Sequence, residues 1–271
     1  MTDSLHRRPL SLTGALVRVG LFWALSVGVL IAAGAAAHGL GAAPAGLFTG
    51  AMASLGTLLL SLAFLRQEAR PPGAAGLAPD RFTPLRFLLG LAAGLVLLAV
   101  HMALVAAYGH VHWMRAPTPP LPWQALLTMV GYVALAWREE LAFRGYPLRA
   151  LAAAGGPWMA QIIMAGLFVV EHRLAGNNWS DAIVGAGLGA LVFGAAALSS
   201  RGLALPLGLH AAWNIGDWMR GNKGGGYWVA SVDPGYAAAV EHFGLMAYAL
   251  VMVMALLLFE WWRRAKAMAE R

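Results

Sequence analysis

Trp137-Arg138-Glu139-Glu140-Leu141-Ala142-Phe143-Arg144-Gly145 puts two adjacent carboxylates and two arginines inside an otherwise apolar run. Leu121 to Ala136 has no charged residue, and Leu148 to Leu167 has only Arg149. An ionisable group at membrane depth is costly unless it faces a protein interior or a water-filled cavity. Glu139 and Glu140 therefore read as functional-site candidates.

Outward from that stretch the chain keeps the same character. It is 60% hydrophobic and 11% charged, against roughly 25% charged in a soluble domain. The deficit and the long apolar runs imply an all-α, polytopic membrane helix bundle, a single integral membrane domain over 1–271. Its 33 glycines, Gly185, Gly189 and Gly194 among them, suit helices packed closely through small residues. The absence of cysteine excludes disulfides, thiolate metal sites and a cysteine nucleophile. The net charge of +7 sits largely in loop arginines, which the positive-inside effect explains, so nucleic acid is not an expected partner.

About eight transmembrane helices follow from the pattern. After His6-Arg7-Arg8, the run from about Val19 to Gly39 is too long for a signal h-region of roughly 7–15 residues and reads as a first span. The second runs from about Ala45 to Leu65. Arg66 to Arg86, with prolines and glycines among its arginines (Pro71, Pro72, Gly73, Pro79 and Pro84 among them), is a linker. The third covers about Phe87 to Tyr108, followed by a proline-rich connector over 110–120. A fourth helix is expected from Pro122 to Ala154, about 45 Å long, with Gly145 and Pro147 able to kink it. Further helices are expected over about 157–174, 182–198 with Ser180 or Asp181 as cap, 203–219, and 243–262.

With the N-terminus inside, the inner segments hold Arg7, Arg8, Arg18, the 66–86 arginines, Arg144, Arg149, Arg201, Arg263, Arg264, Lys266 and Arg271. The outer loops hold Arg115, Arg173, Arg220 and Lys223. That imbalance places both termini in the cytoplasm, in a membrane expected to be the bacterial inner (plasma) membrane. Trp261-Trp262 before Arg263-Arg264 reads as an interfacial anchor with a basic stop.

Strongly polar side chains at depth are few: Glu139, Glu140, Arg144, Glu171, His172, His210, Asn214 and Asp217. Counted from the inner face, Glu139 lies about 20 Å in, His172 about 22 Å and His210 about 10 Å. Glu140 and Arg144 are i and i+4, a pair that neutralises itself and orients its surroundings. Glu139 points about 100° away with no opposite charge on its own helix, so its carboxylate is free to hold a water as a general base. His210 and Asn214, also i and i+4, can donate together to an oxyanion. Phe168 can restrict His172, which can hold the same water.

In order, Glu139-Glu140-Leu141-Ala142-Phe143-Arg144, Phe168-Val169-Val170-Glu171-His172 and His210-Ala211-Ala212-Trp213-Asn214 resemble the motifs of the CPBP intramembrane proteases. That group comprises type II CAAX prenyl endopeptidases and bacteriocin-processing or self-immunity (Abi) proteins. The likeness covers roughly 120–220. It implies a glutamate-dependent peptidase with no obligatory metal or other cofactor, acting on a protein or peptide substrate, lipid-modified or not. By position, Glu139 would be the catalytic glutamate, His172 the water-activating histidine, His210 and Asn214 the oxyanion pair, and Glu140 and Arg144 the supporting charges. Glu171 matches no part of the motif. Three other readings stay open: a zinc protease using Glu139, His172 and His210 as ligands, a non-catalytic scaffold or self-immunity protein, and a proton-coupled transporter.

Overall fold

The computed structural model describes residues 11–200 and 202–269. The basic residues Arg7, Arg8, Arg201 and Arg271, which enter the orientation argument, lie outside the described residues. The rest is an all-α bundle: α1 (Leu12–Ala36), α2 (Ala42–Gln67), α3 (Thr83–Tyr108), α4 (Pro122–Phe143), α5 (Tyr146–Gly155), α6 (Pro157–Leu174), a π-helical turn Asp181–Gly187 running into α7 (Leu188–Ser199), α8 (Ala204–Met219) and α9 (Ala237–Ala269). Five of these stretches are long and apolar enough to cross a membrane: α1, α2, α3, 181–199 and α9. The charged candidates sit on the others, α4, α6 and α8. α8 is buried along nearly its whole length.

Local chemistry explains most boundaries. The Gly14 N–H donates to the side chain of Ser11, 3.1 Å away, and starts α1 earlier than the hydropathy suggests. The cap before the π-helical turn is neither Ser180 nor Asp181 but Asn178, whose Oδ1 accepts from the Asp181 N–H at 2.8 Å. The expected single helix over 122–154 is two, broken at Arg144–Gly145. Pro147 has no N–H to donate and its ring crowds the carbonyl four residues back, so α4 cannot continue through it. At Gly145 an added Cβ would lie 2.7 Å from the Leu141 carbonyl oxygen. The break turns the chain immediately below the two glutamates.

Close packing runs mainly through glycines other than those singled out above. Gly90 and Gly94 of α3 face Leu205, Leu209 and Ala212 of α8, and a Cβ at Gly90 would stand 2.1 Å from the Leu205 carbonyl oxygen. At Gly208 of α8 a Cβ would stand 2.2 Å from the Phe87 carbonyl oxygen. Gly189 and Gly194 do meet Tyr248 and Gln161, at 3.2 and 3.3 Å, but Gly185 has open space. α2 and α4 also touch at Gly50 and Gly131, and Ser54 donates to the Ala134 carbonyl at 2.7 Å. The core between α1, α2 and α5 gathers Phe22, Phe64 and Tyr146, with ring centroids 5.3–5.5 Å apart.

The two longest loops on one side pair with each other. β1 (Val111–Arg115), in the connector after α3, runs antiparallel to β2 (Trp228–Val232), which precedes α9. The proline density before α4 hides β1 from a sequence reading. Asp233 closes the ladder: its Oδ2 accepts from His110 Nδ1 at 3.0 Å and its Oδ1 from His112 Nε2 at 2.8 Å. Tyr236 stacks on His110 at 3.5 Å.

Gly208→Ala is expected to lower the unfolding temperature in detergent by the equivalent of about 1–3 kcal/mol, since the atom it meets is backbone. Gly166→Ala, at an exposed position with nothing within 4 Å, should not. A second expectation concerns pH. Hydrogen bonds from His110, then His112, hold the Asp233 carboxyl below the usual carboxylate range. Its contribution to the ladder is complete above the unfolded value of about 3.9 and is lost as pH falls through the lower folded one. Amide exchange in β1–β2 should accelerate over that acid window, and Asp233→Asn should remove this pH response.

Candidate active site

The last turn of α4 delivers the two glutamates into the interior. Glu140 is fully buried, and Arg144, the residue that ends α4, lies with its guanidinium 3.4 Å from Glu140 Oε1. Three rings enclose that cation: Phe168 at 4.7 Å, Phe193 at 5.4 Å and Phe143 at 5.7 Å. A cation facing aromatic rings away from water gains roughly 2 kcal/mol per good contact. The charge pair thus sits in an apolar box that favours its staying paired.

α8 inserts His210 between the carboxylates. Its Nδ1 lies 2.8 Å from Glu140 Oε1 and its Nε2 lies 3.3 Å from Glu139 Oε2. Phe193 stacks on the imidazole at 4.6 Å. The sequence reading separates a structural Glu140–Arg144 pair from a reactive Glu139. The geometry joins them, because α8 packs against α4 at this level and one imidazole spans two side chains about 100° apart. The opposite charge that α4 itself does not supply to Glu139 comes from α8. The two carboxylates differ in access: Glu140 is 0% exposed and Glu139 13%.

His172 is set by its own helix. Its Nδ1–H donates to the Phe168 carbonyl at 3.0 Å, and Phe168 packs against the ring at 4.3 Å. The neutral ring then keeps its lone pair on Nε2. Asn214, one turn beyond His210 and 8% exposed, accepts at Oδ1 from Lys223 Nζ at 3.0 Å. Asp217 lies apart, paired with Arg220 at 2.7 Å.

Sequence reasoning missed a second buried pair. Arg138, fully buried, is hydrogen-bonded to Glu171 of α6, to which it gives no role above. Trp23 Nε1 donates to Glu171 Oε2 at 3.1 Å, and Ser26 Oγ is 3.4 Å from the Arg138 guanidinium. The signal was present: Arg138 directly precedes Glu139 and Glu171 directly precedes His172, opposite charges on two apolar helices. The ion pair therefore fixes the relative height of the helices that carry both site residues. Among the described residues, no group of three His, Asp or Glu side chains is arranged to hold a metal ion.

This arrangement defines a class: a helical membrane protein with a carboxylate–imidazole–carboxylate centre inside the bundle. Residues 120–216 match the family described as Type II CAAX prenyl endopeptidase Rce1-like, in agreement with the resemblance read from the three motifs. All six candidates lie within the matched segment. The match supports a CAAX-type, protease-like function in the membrane. No curated protein and no solved structure matches the chain.

Removing Arg138 alone would leave Glu171 uncompensated. Arg138→Met is expected to destabilise the protein by about 3–5 kcal/mol, while the double variant Arg138→Met/Glu171→Leu should regain most of that loss. Thermal unfolding of the four proteins in one detergent measures the coupling, and additive losses would show that the pair does not act as a unit.

Proposed function

We propose that this chain is an intramembrane endopeptidase of the glutamate-dependent kind, a single integral-membrane unit whose centre is Glu139, His172, His210 and Asn214. The observation that carries the reading is the difference between the adjacent glutamates: Glu140 is sealed and bonded to His210, while Glu139 shares His210 yet keeps an exposed edge. In this reading Glu139 and the Nε2 of His172 hold a water between them. Its oxygen attacks the scissile carbonyl carbon, and its proton passes to Glu139. The developing oxyanion accepts from His210 Nε2–H and the Asn214 amide. Collapse breaks the C–N bond, and Glu139 returns the proton to the leaving amine. Glu140 orients His210 through its contact with Nδ1, and Arg144 holds Glu140 in place.

In this reading a substrate would enter from one side. A groove of about 680 Å³ lies between the start of α2, the outer half of α4 and the loop after α8. Its lining includes Trp123, Thr128, Tyr132 and Leu135, so it descends α4 to one turn before Glu139. By the distribution of basic residues, that mouth and the β1–β2 hairpin would face outward, with both termini in the cytoplasm of a bacterial cell. The substrate would be a protein or peptide, and prenylation is one form it can take.

Glu139→Gln keeps size and polarity but removes the base. Cleavage should fall by about 10²–10⁴-fold, with the unfolding temperature within a few degrees of wild type. The measurement is hydrolysis of a farnesylated CAAX peptide in proteoliposomes, together with mapping of new protein N-termini in membranes from cells expressing each form. Equal cleavage by the Gln variant would overturn the assignment.

A further inference from the structure

The loop after α8 reads Gly221-Asn222-Lys223-Gly224-Gly225-Gly226, beyond the family-matched segment. Its backbone is held in a shape that other residues resist. Gly221, Gly224, Gly225 and Gly226 have φ of 87°, 73°, 70° and 97°, in the left-handed region. A Cβ at Gly226 would lie 2.0 Å from the Trp218 carbonyl oxygen. The chain folds back on the end of α8, with the Asn222 N–H on the Asp217 carbonyl at 2.9 Å and the Tyr227 N–H on Met219 at 3.0 Å. The result is that Lys223 points back along α8 to Asn214. Its ammonium lies 3.0 Å from Oδ1 and 5.5 Å from the centre of the Tyr132 ring. Among the described residues lining the groove, Lys223 is the one charged side chain, and no carboxylate of the described residues pairs with it.

The chemistry of this contact is one-directional. A lysine ammonium donates and cannot accept, so the Asn214 atom that meets it is the amide oxygen. The Asn214 NH₂ then faces the other way. An asparagine that stabilises an oxyanion must present that NH₂ to the substrate, and a free amide would sample both orientations. We infer that Lys223 is a positioning residue that locks the Asn214 amide with its NH₂ turned towards the reacting carbonyl. This rests on the proposed oxyanion role of Asn214. The ammonium itself touches no reacting atom. Lys223 as a whole stays exposed, and the Tyr132 face and the amide oxygen hold its ammonium on the side turned to α8.

The test separates this lock from a folding role and from binding of an acidic substrate. The chain has four asparagines, so selective ¹⁵N labelling yields four side-chain amide pairs, with that of Asn214 assigned by its loss in Asn214→Ala. Lys223→Met should move the Asn214 pair, and Lys223→Arg, which also only donates, should leave it close to wild type. In cleavage, Lys223→Met should lower kcat about 10- to 100-fold with KM within twofold, and Lys223→Arg should restore most of it. In the Asn214→Ala background, Lys223→Met should have no further effect. An Asn214 amide pair unmoved by Lys223→Met, or a full loss of kcat added on top of Asn214→Ala, overturns the inference. So does a change confined to KM for peptides carrying a carboxylate. Wild-type kcat in Asn214→Ala would instead remove the oxyanion role on which the inference stands.

Discussion

Two carboxylates on consecutive residues of an apolar helix repel each other and lose hydration on burial. The imidazole of His210, placed between them at 2.8 and 3.3 Å, makes their coexistence tolerable. Each carboxylate gains a shared partner from another helix, and Arg144 removes the remaining charge from the sealed one. The consequences spread outward. α8 must approach α4 at a fixed height, which glycines on α3 permit by letting α8 come within backbone contact. α4 must end just below the glutamates, which Gly145 and Pro147 enforce. Three phenylalanines must surround Arg144, and they come from α4, α6 and α7.

Much of this was legible in the residues. The helices, the charged stretch on the fourth of them, and the pairing of Glu140 with Arg144 follow from hydropathy and i, i+4 spacing. What the spacing hides is any contact made between helices. Periodicity on α4 says that Glu140 and Arg144 share a face, but it says nothing of an imidazole from α8 arriving between Glu139 and Glu140. Arg138 and Glu171 went unpaired for the same reason, being 33 residues apart on different helices. The β1–β2 ladder was hidden by the prolines beside it and by the sequence distance between its strands. The glycines that matter most, Gly90, Gly94 and Gly208, differ from those with the clearest spacing, because closeness depends on the facing helix.

The buried charges divide into two sets with different physical tasks. Arg138, Glu171, Trp23 and Ser26 join α4, α6 and α1 in a network sealed from the groove. Glu139, Glu140, His210 and Arg144 join α4 and α8, with one member open on one side. Replacing the first set by well-packed apolar groups is compatible with a stable bundle, as for other buried ion pairs. The second set is tied together by one shared imidazole, so replacing His210 alone would leave two adjacent carboxylates with a single cation between them.

The glycine seam between α3 and α8 has a further consequence for how such a bundle can diversify. Backbone lies on backbone at Gly90 and Gly208, and the side chains nearest the other seam glycines are only the Ala212 methyl and the tip of Leu98, so little there can be enlarged or trimmed to retune the spacing. The helix bearing His210 and Asn214 is therefore a fixed reference rail. By contrast, the hairpin beside the groove is mostly exposed along both of its strands. Descendants of this architecture can vary the exposed hairpin, while a side chain added at Gly90 or Gly208 collides with backbone.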